Sequence, residues 1–115
     1  MNARFDLTGR TVIITGGGKG IGKVYAEEFA KAGARVVAAD IDGAAAKAVA
    51  EALAAQGLDI LGLAADIASE DSTKAMAQAA LDRFGAIDVL INNASLMSVL
   101  PRRSWLEIRS RSGTG

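Results

Sequence analysis

The stretch Thr11-Val-Ile-Ile-Thr-Gly-Gly-Gly-Lys-Gly-Ile-Gly-Lys23 decides how the chain is read. Thr11 to Thr15 are β-branched throughout and read as a short buried strand. After the glycines, Ile21, Val24, Tyr25, Glu28, Phe29 and Ala32 follow a helical period, with Glu28 the only polar member. The glycine loop therefore lies between a strand and a helix N-terminus, where unpaired N–H groups and partial positive charge favour a phosphate. Two phosphate-binding patterns compete for it. Gly17 through Lys23 satisfy seven positions of G-x-x-x-x-G-K-[ST], but Val24 stands where that pattern needs a hydroxyl to hold magnesium. No trio of glycines has the spacing G-x-G-x-x-G. What fits is T-G-x-x-x-G-I-G, with Gly16, Gly20 and Gly22. Taken alone, the loop also admits the reading of a flexible turn with spare glycines.

Working outward, Gly33 stops the first helix, and Ala34 to Asp40 read as a second strand. Residues 43–56 are Ala-rich, with Val49 and Leu53 four apart, and read as a helix that Gly57 ends. Asp59 to Asp66 read as a third strand. Ser69 suits the cap of a third helix, with Glu70 and Asp71 in its positive first turn. That helix runs to about Phe84 before Gly85, and Ile87 to Asn92 read as a fourth strand. Alternating strands and helices imply βαβ units, a parallel sheet covered on both faces and right-handed crossovers. The expected fold is α/β, the first half of a doubly wound Rossmann-type sheet with strand order 3-2-1-4.

Composition removes several classes of chemistry. The chain has 115 residues, half of them hydrophobic, which suits one domain with a sizeable core. It has no Cys and no His, so thiolate metal sites, a Cys nucleophile and the usual general base are absent. No apolar run approaches the roughly 18 residues that span a bilayer. No apolar stretch follows the N-terminal Arg residues, as a signal peptide would require. A soluble, cytoplasmic protein without a membrane partner is expected. The net charge of zero is unevenly placed: residues 1–100 carry nine Lys/Arg and twelve Asp/Glu, residues 101–115 four Arg and one Glu. Residues 1–100 are thus expected to form the nucleotide-binding half-domain, and 101–115 a basic, disordered tail. Arg102, Arg103, Arg109 and Arg111 lack interleaved aromatics apart from Trp105, so no nucleic-acid partner is expected.

With Gly16, Gly20 and Gly22 in place, the chain resembles the short-chain dehydrogenase/reductase family. The resemblance covers about residues 5–108. It implies that Gly16 makes the turn, Gly20 lets backbone approach a pyrophosphate, and Gly22 lets the helix pack tightly on the strand. Gly18, Lys19 and Ile21 lie in the same loop and join the expected cofactor contacts. Asp40, with Ile41 beyond it, ends the second strand 18 positions after Gly22. A carboxylate there can accept hydrogen bonds from ribose hydroxyls and would repel a 2′-phosphate. Lys19 pulls the other way, since a cation beside the loop can pair with a phosphate. Asp40 decides for NAD over NADP. By the same resemblance, Asp66 bonds the adenine amino group and Ile67 packs on the ring. Asn93 and Ala94 lie along the cofactor ribose, with Ser95 a further cofactor contact beyond them, and Asn92 ties neighbouring strands together. Ser95 departs from the glycine of the family's N-N-A-G, and its Cβ narrows the approach. Each motif has a plainer reading: a solvated acid opening a turn with Asp42, a strand-end acid, a polar turn. These lose because the four motifs fall in order at strand C-terminal ends, where open α/β sheets bind ligands.

The resemblance implies reversible hydride transfer between NAD and an alcohol or ketone, in a parent that is a homo-oligomer. Catalysis in the family uses a Tyr with a Lys four residues later, a Ser and an Asn. Tyr25 is the chain's one tyrosine and is followed four residues on by Phe29. Ser95 and Ser98 do not match the catalytic Ser. No catalytic residue carries over, and no turnover by these 115 residues is expected, which leaves a non-catalytic dinucleotide-binding fragment or an inactive remnant as the alternative. Removing one base from a frame encoding Pro-Val-Glu-Glu-Trp-Asp-Arg yields the Arg-Ser-Arg-Ser-Gly-Thr-Gly of residues 109–115. That tail is therefore expected to be the frameshifted end of a longer reductase. The fourth strand would then be a bare edge, apolar on both faces.

Overall fold

A computed structural model of the chain describes residues 6–93. Ala94, Ser95, Ser98 and the basic tail lie outside the described residues. Within them, β1 (Thr11–Thr15), α1 (Gly20–Lys31), β2 (Arg35–Asp40), α2 (Gly43–Ala54), β3 (Ile60–Ala64), α3 (Glu70–Phe84) and β4 (Val89–Asn92) follow in order. The four strands form one parallel sheet in the order β3-β2-β1-β4, as the alternating pattern implied.

β1 is interior because its residues suit nothing else. All five are buried, and β-branched side chains pack well on a pleated surface closed from both sides. Val12 and Ile14 project to one face with Val36 and Ala38 of β2, under Ala26 and Ala30 of α1 and Val49 and Leu53 of α2. Ile13 projects to the other face with Val37 and Ala39, under Met76 and Ala80 of α3. The period-two alternation of a strand thus splits one hydrophobic run between two cores. No helix of the described residues is long and apolar enough to cross a membrane.

Several expected boundaries shift inward. β2 starts at Arg35, α2 ends at Ala54, β3 covers Ile60–Ala64 and β4 starts at Val89. Strand pairing sets the strand limits: Ala64 is the last β3 residue opposite β2, facing Asp40. Asp66 therefore sits in the loop beyond β3 rather than on it.

The buried face of α1 also differs from the periodic reading. Gly22, Ala26 and Ala30 face the sheet, Tyr25 and Phe29 flank the core half-buried, and Ile21 and Val24 are 57% and 52% exposed. Small residues let the helix lie close to the strands, and that closeness leaves no room for Ile or Val on the contact line. Among the described residues β4 pairs with β1 alone. Its faces are unequal: Val89 and Ile91 pack against the α1/α2 core, whereas Leu90 is 43% exposed.

These faces give a direct contrast. Ile14→Ala, at a fully buried position, is expected to destabilise the chain by about 2–5 kcal/mol. Val24→Ala is expected to stay within about 0.5 kcal/mol. Denaturant midpoints at constant slope measure both.

Candidate functional site

Parallel pairing brings the C-terminal ends of all four strands to one rim. Thr15 lies opposite Ala39 and Asn92, and Asp40 lies opposite Ala64. A cleft of about 390 Å³ opens there, within the size range of small-molecule sites. Of the residues expected from sequence, Gly16, Lys19, Ile21, Asp40 and Ile41 line it. Asp66, Ile67 and Asn93 line it as well. Thr15 and Ala65 complete the lining; neither was singled out as a contact from sequence. Gly18, Gly20 and Gly22 shape the loop beside it.

The loop geometry explains its glycines. Gly16 and Gly20 have φ of +68° and +56°, a region that side chains with a Cβ rarely adopt. A Cβ on Gly20 would meet open space, whereas one on Gly22 would collide with the Gly16 carbonyl oxygen and come within 2.7 Å of Asn93 Nδ2. The close approach at Gly22 is thus to the loop carbonyl and the tip of β4. Gly18 presses on the start of α2, where a Cβ would lie 2.8 Å from the Ala46 nitrogen.

The helix that follows is the odd one of three. Ser69 Oγ accepts from the Ser72 N–H to cap α3, with Glu70 and Asp71 in its first turn. Asp42 Oδ1 accepts from the Ala45 N–H to cap α2. α1 has Lys19 at its N-cap, no side-chain cap and no acid in its first turn. Among the described residues, no carboxylate or hydroxyl bonds its leading N–H groups, which lie beside the cleft.

Asp40 is almost wholly buried at 8% exposure. Its Oδ2 accepts from the Gly18 N–H and its Oδ1 from the Asp42 N–H, both at 3.0 Å. The Gly17 N–H donates to the Ala39 carbonyl at 3.1 Å. The loop is therefore strapped to the end of β2 by backbone donors on both residues. Asp40 does take part in a turn with Asp42, but as a buried acceptor and not as a solvated acid.

At the other side of the rim, Thr15 Oγ1 donates to Asn92 Oδ1 and accepts from the Asn93 N–H, both at 2.9 Å. Asn92 thus ties β4 to β1, and the Thr15 hydroxyl fixes where Asn93 emerges. Asp66 is exposed; its Oδ1 accepts from the Ala68 N–H at 2.9 Å and its own N–H donates to Ser72 Oγ at 2.8 Å. Tyr25 lies apart from this rim, its ring 6.2 Å from that of Phe29 at the margin of the α1/α2 core. Its place is in packing.

Lys19 is engaged. Its Nζ lies 3.0 Å from Asp42 Oδ2. The hydrogen bond from Lys19, then the Ala45 N–H, holds the Asp42 carboxyl below its usual 3.8, and Asp42 in turn raises the Lys19 ammonium above its usual 10.5. A depressed carboxylate stabilises the fold above its unfolded pKa, and that contribution disappears as pH falls through the folded value. Lys19→Gln is accordingly expected to move the Asp42 titration upward toward 3.8, read from its carboxyl carbon shift by NMR.

The family model described as short chain dehydrogenase matches residues 10–109. An uncharacterized oxidoreductase of Thermotoga maritima is 43% identical over 93 residues, covering 81% of this chain and 36% of that protein. A hydroxysteroid dehydrogenase structure from Escherichia coli superimposes with a TM-score of 0.76 at 41% identity, over 79% of this chain and 39% of that one. A 3-ketoacyl-(acyl-carrier-protein) reductase from Brucella melitensis, solved with NADH, gives 0.67 at 42% identity, over 73% and 33%. The chain thus spans about a third of the length of these proteins.

Proposed function

The chain belongs to the short-chain dehydrogenase family, and from that premise we propose that the rim cleft holds the adenosine diphosphate part of NAD. The observation that carries this reading is the uncapped start of α1 beside a buried, loop-bound Asp40. Helix N-termini stabilise anions through exposed N–H groups and the dipole. Gly20, with open space where a Cβ would be, lets a pyrophosphate come against the backbone.

Asp40 has the acceptor capacity the ribose requires. A carboxylate has about four lone-pair sites. Two are filled by the Gly18 and Asp42 N–H groups, which leaves two for the ribose hydroxyls. The same charge, buried and fixed, disfavours a 2′-phosphate and selects NAD over NADP. Asp66 would receive the adenine amino group, with Ile67 against the ring. Ile41, 74% exposed, would find a partner in the adenosine. Asn93, in the cleft lining, would lie along the cofactor ribose.

When bound, NAD in its oxidised form would accept a hydride from an alcohol, and NADH would return one to a ketone. That conversion is the activity we assign to the whole protein of which this unit forms the cofactor-binding part. The share belonging to the described residues is binding, orientation and selection of the dinucleotide.

Calorimetric titration of the folded chain tests the assignment. Saturable binding of NAD is expected, and Asp40→Asn should weaken it at least tenfold. Asn turns a donor toward one backbone N–H and removes charge-assisted acceptors worth about 1.5–3 kcal/mol each. A chain with native circular dichroism that binds neither NAD nor ADP would overturn the reading.

A further inference from the structure

The Lys19–Asp42 pair lies at the mouth of the same cleft and serves no purpose assigned so far. Asp42 divides its two oxygens. Oδ1 caps α2 through the Ala45 N–H, and Oδ2 takes the Lys19 ammonium at 3.0 Å. Lys19 is the residue after Gly18, whose N–H is bonded to Asp40. The cation therefore sits close to the carboxylate that would bind the ribose, and it lines the cleft with it. An unpaired ammonium in that place is the natural partner of a 2′-phosphate, because a point charge with three donors needs no special geometry to bind one.

We propose that Asp42 is a positioning residue for dinucleotide selectivity: it holds Lys19 against the start of α2 and so denies a 2′-phosphate its cation. This rests on the cleft being the dinucleotide site. Two carboxylates then divide the task. Asp40 repels the extra phosphate directly, and Asp42 removes the one nearby charge that would compensate. Both partners of the pair are solvent-accessible, with side chains 67% and 40% exposed, so its effect is a few-fold and not orders of magnitude.

The test is a double-mutant cycle read as the ratio of NADP to NAD dissociation constants. Asp42→Asn suits it because Asn caps a helix as well as Asp does, leaving α2 intact while removing the charge. The ratio is expected to fall about fivefold in D42N at low salt, with the NAD constant changing less than twofold, and to recover part of the difference as salt screens the phosphate. In a Lys19→Gln background, adding D42N should leave the ratio within twofold. D42S, which also caps but carries no charge, should reproduce D42N; it provides a second route should D42N fold poorly. An unchanged ratio in both D42N and D42S, while NAD still binds, overturns this inference alone. An equal fall with and without Lys19 also overturns it, because Asp42 would then act by its own charge. Failure of the unsubstituted chain to bind NAD overturns the cleft assignment and this inference together.

Discussion

The rim of this sheet is organised by a buried carboxylate. Asp40 ends β2 almost fully out of water, where an uncompensated charge costs several kcal/mol. It is compensated by backbone: the Gly18 N–H from the glycine loop and the Asp42 N–H from the turn into α2. One side chain thereby fixes two loops that are distant in sequence. The glycine loop cannot swing away from β2 without orphaning that charge. Gly22 sets the opposite limit, because any side chain there would strike the Gly16 carbonyl. The loop is thus tethered electrostatically to β2 and closes over a position where only glycine leaves room for its carbonyl.

Much of the fold is legible in the sequence because the relevant signals are local. The β-branched run Thr11–Thr15 specifies an interior strand by composition alone. Ser69 with Glu70 and Asp71 sets the start of α3, and Gly85, left-handed at φ +83°, sets its end. The α1 contact face is not legible in the same way. Hydrophobic periodicity weighs Ile21 and Val24 heavily and Gly22 and Ala26 lightly, yet close helix–strand packing selects the small residues. Strand ends fail for a related reason. Asp59 and Asp66 read as strand residues, but where β3 stops depends on its register with β2, which no window of sequence contains.

The site divides along the same line. Gly16, Asp40, Asp66 and Asn93 each sit at a strand end or the turn after it, so topology brings them to one cleft. Their internal partnerships are a different matter. That Asp40 supports the loop, that Thr15 pins both Asn92 and Asn93, and that Lys19 is already paired with Asp42 are consequences of tertiary geometry. Read singly, Lys19 is a free cation and Asp42 a turn residue. Joined, they change the sign of the argument about a phosphate near the loop.

The capping pattern carries the functional argument furthest. A side-chain cap is worth about 0.5–2 kcal/mol, and α2 and α3 both have one. α1 goes without, and has a lysine at the end where a positive charge is least favoured. Nothing in the core demands this, since Lys19 is exposed and makes no contact there. A sequence that caps α2 and α3 and leaves α1 uncapped beside the cleft forgoes local stability at that end and keeps its N–H groups open. An anion arriving at that end would recover what the missing cap gives up. Asp42 recovers part of it from outside the helix, by placing a carboxylate beside the Lys19 ammonium.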